Sequence, residues 1–394
     1  MKRILFVQPT LSPPGGGNGL AAWMMEALKH EYRMSMLAWA PADLDSVNRF
    51  FGTDLHPSDF ELHLIEPWIA RLAAMSPTPM GLLKDHYLSL RCRRIIDGFT
   101  AAIGANNEAD LGPCGIQYVH FPRFLKDRPD IDLRWWHHAI APAIRMYYWL
   151  SERLTAFSAA RMRRNLTLVN SDFTGRRYRA VHGIEAVTLY PPAVGPFRDV
   201  PWEEREDGFV CIGRFSGEKR IELMINILSA VRQAGPRVHL HVVGSRDWDL
   251  AYFERIRAMA RANASWVSIH ENLPRPELLD LIATHRFGIH GMHEEPFGMA
   301  VADLISSGCI TFAPNSGGPV EILADERLVY SSLEDAVSKI VRAIRDPEYQ
   351  ASLRSHVETR KNLFRSEKFV TRLRSLVGDF LRERGLAEDS HVNA

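Results

Sequence analysis

The feature that most constrains this chain is a pattern that starts twice. Near the N-terminus the apolar run RILFVQP leads through a glycine-bearing turn, GGGNG, into the helical stretch GLAAWMMEAL; from residue 209, FVCIGRF leads through SGEKR into IELMINIL. Between and beyond these points, short Val- and Ile-rich runs such as RMSMLAWA, GIQYVHF, LTLVNS and RVHLHVVGS alternate with longer segments at helical spacing. That alternation is the mark of parallel sheets joined by crossover helices. The proline-rich, charge-ended segment 188–207 separates the two series and reads as a linker, placing a boundary near residue 200. A chain of 394 residues is also long enough that two cores are expected in place of one. The fold class is therefore α/β, with two Rossmann-like domains.

Composition removes several alternatives. The formal net charge of +1 gives no electrostatic footprint for nucleic acid. Four cysteines, at 92, 114, 211 and 309, contain no Cys-x-x-Cys pair, so neither a zinc finger nor a disulfide framework is expected, in keeping with a reducing cytosol. MKRILFVQP is too short in its apolar part for a secretory leader and reads as a first strand. No run of eighteen apolar residues occurs. The nearest approach, WWHHAIAPAIRMYYWL (135–150), has two readings: a buried helix, or a surface that rests on lipid or on a lipid-linked substrate.

The turns carry the chemistry. A glycine turn at the start of a helix lets backbone N–H groups approach an anion where the helix dipole favours negative charge. GGGNG does not fit G-x-G-x-x-G, and a plain flexible loop remains open for it; no Walker A sequence occurs, which disfavours ATP or GTP hydrolysis. In the second turn Arg214 and Lys219 flank Gly217, a guanidinium fork and an ammonium suited to a diphosphate, or else a solvated basic loop. Farther on, HEEPFGMAVADLISSGC places Glu295 just before an apolar helix (298–307) and Asp303 within it.

These residues carry a resemblance. EPFGMAVAD resembles the Glu-x7-Glu signature of the retaining glycosyltransferases of family 4, with Asp in place of the second Glu. GGGNG, YVHFP (118–122), LVNSDFT (168–174), LYPPAV (189–194), CIGRFSGEKR (211–220), NLPRPEL (272–278) and NSGGPVEIL (315–323) follow in the family's order. YVHFP and NSGGP are especially similar to the mannosyltransferases that extend dolichol-linked oligosaccharides.

The resemblance implies the GT-B architecture: an acceptor-binding domain at 1–198, a nucleotide-sugar-binding domain at 202–363, a cleft between them, and a C-terminal segment, 364–394, returning to the first domain. The returning helix would be SEKFVTRLRSLVGDFLRER, apolar on one face at 369, 370, 373, 376, 377, 380 and 381. It further implies that Arg214 and Lys219 bind the donor diphosphate, that Glu295 holds hydroxyls of the transferred sugar with the turn Phe297, Gly298 and Met299, and that Asp303 takes the ribose hydroxyls. Gly16 and Gly17 would approach phosphates or acceptor, and His120 the sugar near the reacting centre. Gly213, Gly244, Asn272 and Leu273 would complete the donor surface. A lone His at a strand end is otherwise a structural residue, and Asp303 reaches one methylene less far than the family's Glu.

The expected activity is retaining hexosyl transfer from a nucleoside-diphosphate sugar, GDP-mannose favoured, to an acceptor hydroxyl, with no cofactor and no metal. Asp-x-Asp triplets at 43–45, 130–132 and 247–249 raise a metal-dependent alternative, the shared architecture a sugar-nucleotide epimerase, and Asp303 a non-catalytic sugar-nucleotide-binding subunit. The acceptor is either lipid-linked or soluble. Trp135, Trp136, Tyr147, Tyr148 and Trp149 with Arg134 and Arg145, followed by RMRRN (161–165), favour a cytoplasmic enzyme in weak peripheral contact with a membrane.

Overall fold

The computed structural model describes residues 1–13, 15–74, 81–122, 141–246 and 249–386. It divides into two compact units, Met1–Pro192 with Glu367–Ala394, and Ala193–Ser366.

In the first unit the strands are β1 (Arg3–Val7), β2 (Arg33–Ala38), β3 (Phe60–Leu64), β4 (Ala101–Gly104), β5 (Gly115–Val119), β6 (Leu166–Val169) and β7 (Val187–Thr188). They form one sheet in the order β3-β2-β1-β4-β5-β6-β7, parallel throughout. Because helices cover both faces of such a sheet, its central strands are buried without alternation; β4 and β5 are buried at every position, whereas the edge strand β3, FELHL, is largely exposed. Helix Gly16–Leu28 turns Leu20, Met24 and Leu28 inward against Ile4 and Phe6.

Helix Ser366–Glu383 joins the same core. Its Phe369, Leu373, Leu376, Val377, Phe380 and Leu381 are buried in one cluster with Met24, Met34 and Val47, and Arg374 donates to the carbonyl of Ala27 at 2.7 Å. The return of the last helix to the first unit, expected from its apolar face and the resemblance, is thus present.

The second unit contains β8 (Glu206–Ile212), β9 (His239–Gly244), β10 (Val267–Glu271), β11 (His285–Ile289), β12 (Ile310–Pro314) and β13 (Val329–Tyr330). Their order is β10-β9-β8-β11-β12-β13, again parallel. In both sheets the order of strand addition reverses once, between β1 and β4 in the first and between β8 and β11 in the second. In open α/β sheets the crevice beyond the strand ends at such a reversal is where ligands bind. No described helix is long and apolar enough to cross a membrane.

Trp135, Trp136, Arg134 and the Asp-x-Asp at 130–132 lie outside the described residues, as does Asp247. The described part of the aromatic segment is helix Ala141–Thr155. Its Tyr147 hydroxyl accepts the N–H of Leu83 at 3.1 Å, whereas Met146, Trp149, Leu150 and Leu154 are exposed. A wholly buried helix is therefore excluded. Arg161, expected as part of a basic surface, turns inward and clasps the fully buried carboxylate of Asp110 at 2.7–3.2 Å.

Candidate functional site

In the second unit the loops after β8 and β11 converge at the reversal point. Gly213 continues β8 and donates its N–H to the Val243 carbonyl at 2.9 Å. At the end of β9 a Cβ on Gly244 would lie 1.9 Å from the Gly213 carbonyl, so only glycine lets these two strand ends meet. The turn Gly217–Lys219 follows, then helix Ile221–Gln233, which buries Met224, Ile227, Leu228 and Val231 at helical spacing.

Lys219 Nζ lies 2.5 Å from Glu295 Oε2 and 3.3 Å from Met292 Sδ. His290, just past β11, places Nε2 3.4 Å from the same carboxylate oxygen. His290 is itself fixed: its N–H donates to the Phe312 carbonyl at 2.9 Å and its carbonyl accepts the Tyr330 hydroxyl at 2.6 Å. Burial pushes the Glu295 carboxyl up, but Lys219 and His290 outweigh it and hold the group at about 2. The site therefore presents a fixed carboxylate and a fixed ammonium in contact.

The segment bearing Glu295 is locked by the loop from β12. The N–H of Glu294 donates to Ser316 Oγ at 3.0 Å and that of Gly318 to the Glu295 carbonyl at 2.8 Å. Gly298, at φ +107°, precedes helix Met299–Ser306 in a conformation that a β-carbon would strain. Phe297 is buried against Phe364, ring centroids 5.7 Å apart, and Met299 is partly exposed. Arg214 is more open and reaches Glu218 at 3.4 Å.

Asp303 is buried and paired. Arg275 meets its two oxygens at 2.6 and 2.7 Å and also donates to the Val194 carbonyl. Burial depresses the Arg275 guanidinium, and Asp303 more than offsets it. Asn272, at φ +52°, donates its N–H to the Gly244 carbonyl at 2.9 Å, and Leu273 packs on the cluster of Val243 and Leu278. The structure thus brings Lys219 and Glu295 together, and sets Asp303 with Arg275.

In the first unit, His120 follows β5 and Gly17 sits in the first turn of helix Gly16–Leu28. A Cβ on Gly17 would lie 3.2 Å from His120 Nε2, so the glycine turn and the histidine form one corner at the ends of the strands. His120 Nε2 is 3.0 Å from the Ala105 carbonyl, which can only accept, so that nitrogen carries the proton. The His120 N–H donates to Asn107 Oδ1 at 2.8 Å and its carbonyl accepts from Asn170 at 2.9 Å. Asn18 ties the glycine loop down, accepting from Gln8 at 3.1 Å and donating to the Ser12 carbonyl at 2.7 Å.

Sequence reasoning missed Arg275, His290, Met292, Asn107 and Asn18. Arg275 and Asn18 stand inside the motifs NLPRPEL and GGGNG, but nothing in their spacing shows what they touch. Two described Asp-x-Asp members have structural roles: Asp43 caps helix Leu44–Phe51 and Asp249 caps helix Leu250–Ala262.

Residues 197–360 match the family model of the group 1 glycosyl transferases. The chain is 26% identical over 225 residues to a GDP-Man:Man(3)GlcNAc(2)-PP-Dol alpha-1,2-mannosyltransferase of Yarrowia lipolytica, covering 51% of this chain and 35% of that one. It is 24% identical over 284 residues to the human alpha-1,3/1,6-mannosyltransferase ALG2, covering 65% of each. This chain thus spans about a third of the first relative's length and just under two thirds of the second's. The resemblance read from the motifs is borne out by these relatives. Among solved structures, Anabaena HepE in complex with UDP superposes with a TM-score of 0.66 at 14% identity, over 96% of this chain and 100% of that one. The fold is accordingly that of the GT-B glycosyltransferases.

Proposed function

We propose that the protein transfers a hexosyl unit from a nucleoside-diphosphate sugar to an acceptor hydroxyl, with retention at the anomeric carbon and without a catalytic metal. The observation that carries this reading is the contact of Lys219 with Glu295 at the reversal point of the second sheet. One contact supplies a cation for the diphosphate and an ionised carboxylate that accepts hydrogen bonds from sugar hydroxyls.

In this mechanism the bond from the anomeric carbon to the leaving phosphate oxygen breaks while the acceptor oxygen bonds to the same face. The leaving oxygen takes the acceptor's proton. Lys219 and Arg214 meet the charge that grows on the diphosphate, a preorganised electrostatic role that is commonly the largest catalytic contribution. Glu295 orients the sugar, and the turn Phe297–Met299 shapes its pocket with backbone groups. Asp303 acts on the nucleotide by holding Arg275, and with it the Asn272–Leu273 loop. The corner of Gly17 and His120 is assigned to the sugar and acceptor.

GDP-mannose is the favoured donor, because the relatives' names specify it. A lipid-linked acceptor is favoured on the same ground, and the exposed Met146, Trp149, Leu150 and Leu154 suit an enzyme at the cytoplasmic face of a membrane. A thermal-shift panel of GDP- and UDP-sugars, followed by assay for slow donor hydrolysis, tests the proposal. GDP-mannose should give the largest shift, a ligand at 100 times its Kd stabilising by about 2.7 kcal/mol. Turnover should survive EDTA. Binding without hydrolysis or transfer to any acceptor would favour the non-catalytic subunit, and interconversion of free sugar nucleotides the epimerase.

A further inference from the structure

We propose that the starting edge of the second sheet holds a zinc site, built from His239, His241 and His285 with Glu206 beside them. It is separate from the donor site. His239 opens β9 and His285 opens β11, whereas Gly213, Gly244 and His290 lie where β8, β9 and β11 finish. Strand pairing creates the cluster: His239 is opposite Gly208, His241 opposite Val210, and His285 opposite Glu206.

One ring nitrogen of each histidine lies within 4.8 Å of the other two. His239 Nε2 and His285 Nε2 are 3.0 Å apart. The three rings stand at 76–90° to one another with centroids 4.8–5.2 Å apart. Imidazoles around a tetrahedral zinc ion adopt such a splay, and Zn–N bonds of about 2.0–2.1 Å put their nitrogens about 3.3 Å apart. The His239–His285 pair is already near that spacing, and the His241 nitrogen, within 4.8 Å of both, has up to about 1.5 Å to close.

The outer contacts set the tautomers that ligation needs. His285 Nδ1 is 2.7 Å from the Leu281 carbonyl. A carbonyl only accepts, so Nδ1 carries the proton and Nε2 offers its lone pair toward His239. A ligating histidine ordinarily donates its other N–H in this way, which fixes the ring and raises its basicity. His241 Nδ1 has a matching partner in His270 Nε2 at 2.8 Å.

Space is provided as well. A Cβ on Gly208 would lie 2.2 Å from His239 Nε2, so the glycine leaves the strand bare where that ring lies. Glu206 Oε2 lies 3.4 Å from His239 Nε2 and is exposed, so that side of the cluster is open to an entering ion. Three imidazoles with one carboxylate or water select zinc over magnesium or calcium, which take oxygen ligands. The ion would staple the starts of β9 and β11 across β8, and has no part in glycosyl transfer.

The test uses untagged full-length protein, dialysed against EDTA and then into metal-free buffer, and titrated with ZnCl2. About one zinc per chain should bind, with a melting temperature several degrees higher. Co2+ in its place should give the intense visible absorption of a tetrahedral ion. His239→Gln should fold and bind zinc about 100-fold more weakly, without the cobalt spectrum. Hexosyl transfer at 25 °C should be the same with and without zinc, which separates this proposal from the fate of the donor-site reading. Unchanged melting of the wild type on adding zinc, or equal zinc affinity in wild type and His239→Gln, would overturn the site and leave a hydrogen-bonded histidine stack.

Discussion

Arg275 sets both terminal nitrogens of its guanidinium against both carboxylate oxygens of Asp303, at 2.6 and 2.7 Å. The pair joins the loop before helix Arg275–Ala283 to the helix that follows Gly298, and through the Val194 carbonyl to the first residues of the second unit. Side chains of 24% and 7% exposure make this a largely buried bidentate pair, in which removing one partner strands the other. Asp303→Ala is expected to destabilise the protein by about 3–5 kcal/mol in urea unfolding. Asp303→Glu supplies the second Glu of the signature that EPFGMAVAD resembles, yet the added methylene has no room at this separation and should cost about 1–3 kcal/mol. An Asp303→Glu protein as stable as wild type, with tighter donor binding, would show that the carboxylate serves the ribose directly.

Lys219 and Arg214 are expected to act on the same diphosphate from different surroundings. Lys219→Ala removes a cation in contact with Glu295, and Arg214→Ala one that is 41% exposed. Each should lower kcat by roughly 10²–10³, the cost of losing one preorganised donor. They should differ in stability: Arg214→Ala should melt within a degree or so of wild type, while Lys219→Ala leaves Glu295 without its closest counter-charge and should melt lower. Full turnover in either variant would remove that residue from the diphosphate.

The acid limb of stability should carry the signature of Glu295. Its carboxyl is held at about 2 in the folded protein against an ordinary 4.5, so the unfolded chain binds the proton first as pH falls. The contribution is fully present above 4.5 and is lost as pH drops from there toward about 2, each unit of depression being worth about 1.4 kcal/mol. Urea midpoints measured from pH 6 to pH 3 should fall more steeply for wild type than for Glu295→Gln. Equal slopes would mean that the carboxylate is not held by Lys219 and His290 as described.

Much of the fold was legible, because strand and helix periods and the restart near residue 209 are local properties of the sequence. The candidate site is legible as turns: Gly213, Lys219, Glu295 and Gly298 each sit where a strand end meets a helix start. What each side chain touches was not. Lys219 and Glu295 were assigned to one ligand, but their contact depends on the adjacency of β8 and β11, which chain order conceals. The resemblance places Asp303 at the ribose hydroxyls, and its contact with Arg275, 28 residues earlier in a segment of different character, has no signal in the spacing. The histidine cluster was invisible for the same reason, since His239 and His285 meet only through strand register and a glycine at 208. Exposure of the 141–155 helix could not be read from its composition, because an aromatic stripe suits a core and an interface alike.

That helix supports the last prediction. Met146, Trp149, Leu150 and Leu154 are spaced at three, four and eight residues, so they share one face, and they are 45–66% exposed. The guanidinium of Arg153 lies 5.9 Å from the Trp149 ring, leaving a cation at the border of the apolar face. Apolar bodies bordered by cations are the chemistry of an interfacial helix on an anionic membrane. Liposomes containing phosphatidylserine should therefore bind the protein at low salt, and less at high salt as the cationic part is screened. Burying a Trp or Met side chain in lipid is worth about 1.5–3 kcal/mol, so Met146→Ser with Trp149→Ser should weaken binding by roughly two to four powers of ten. Because both side chains are already exposed, melting temperature and hydrolysis of the donor in solution should stay as in wild type. Transfer to a lipid-linked acceptor in vesicles should fall with binding, whereas transfer to a short-chain soluble analogue should not. Equal vesicle binding by wild type and the double variant would remove this face from the membrane contact.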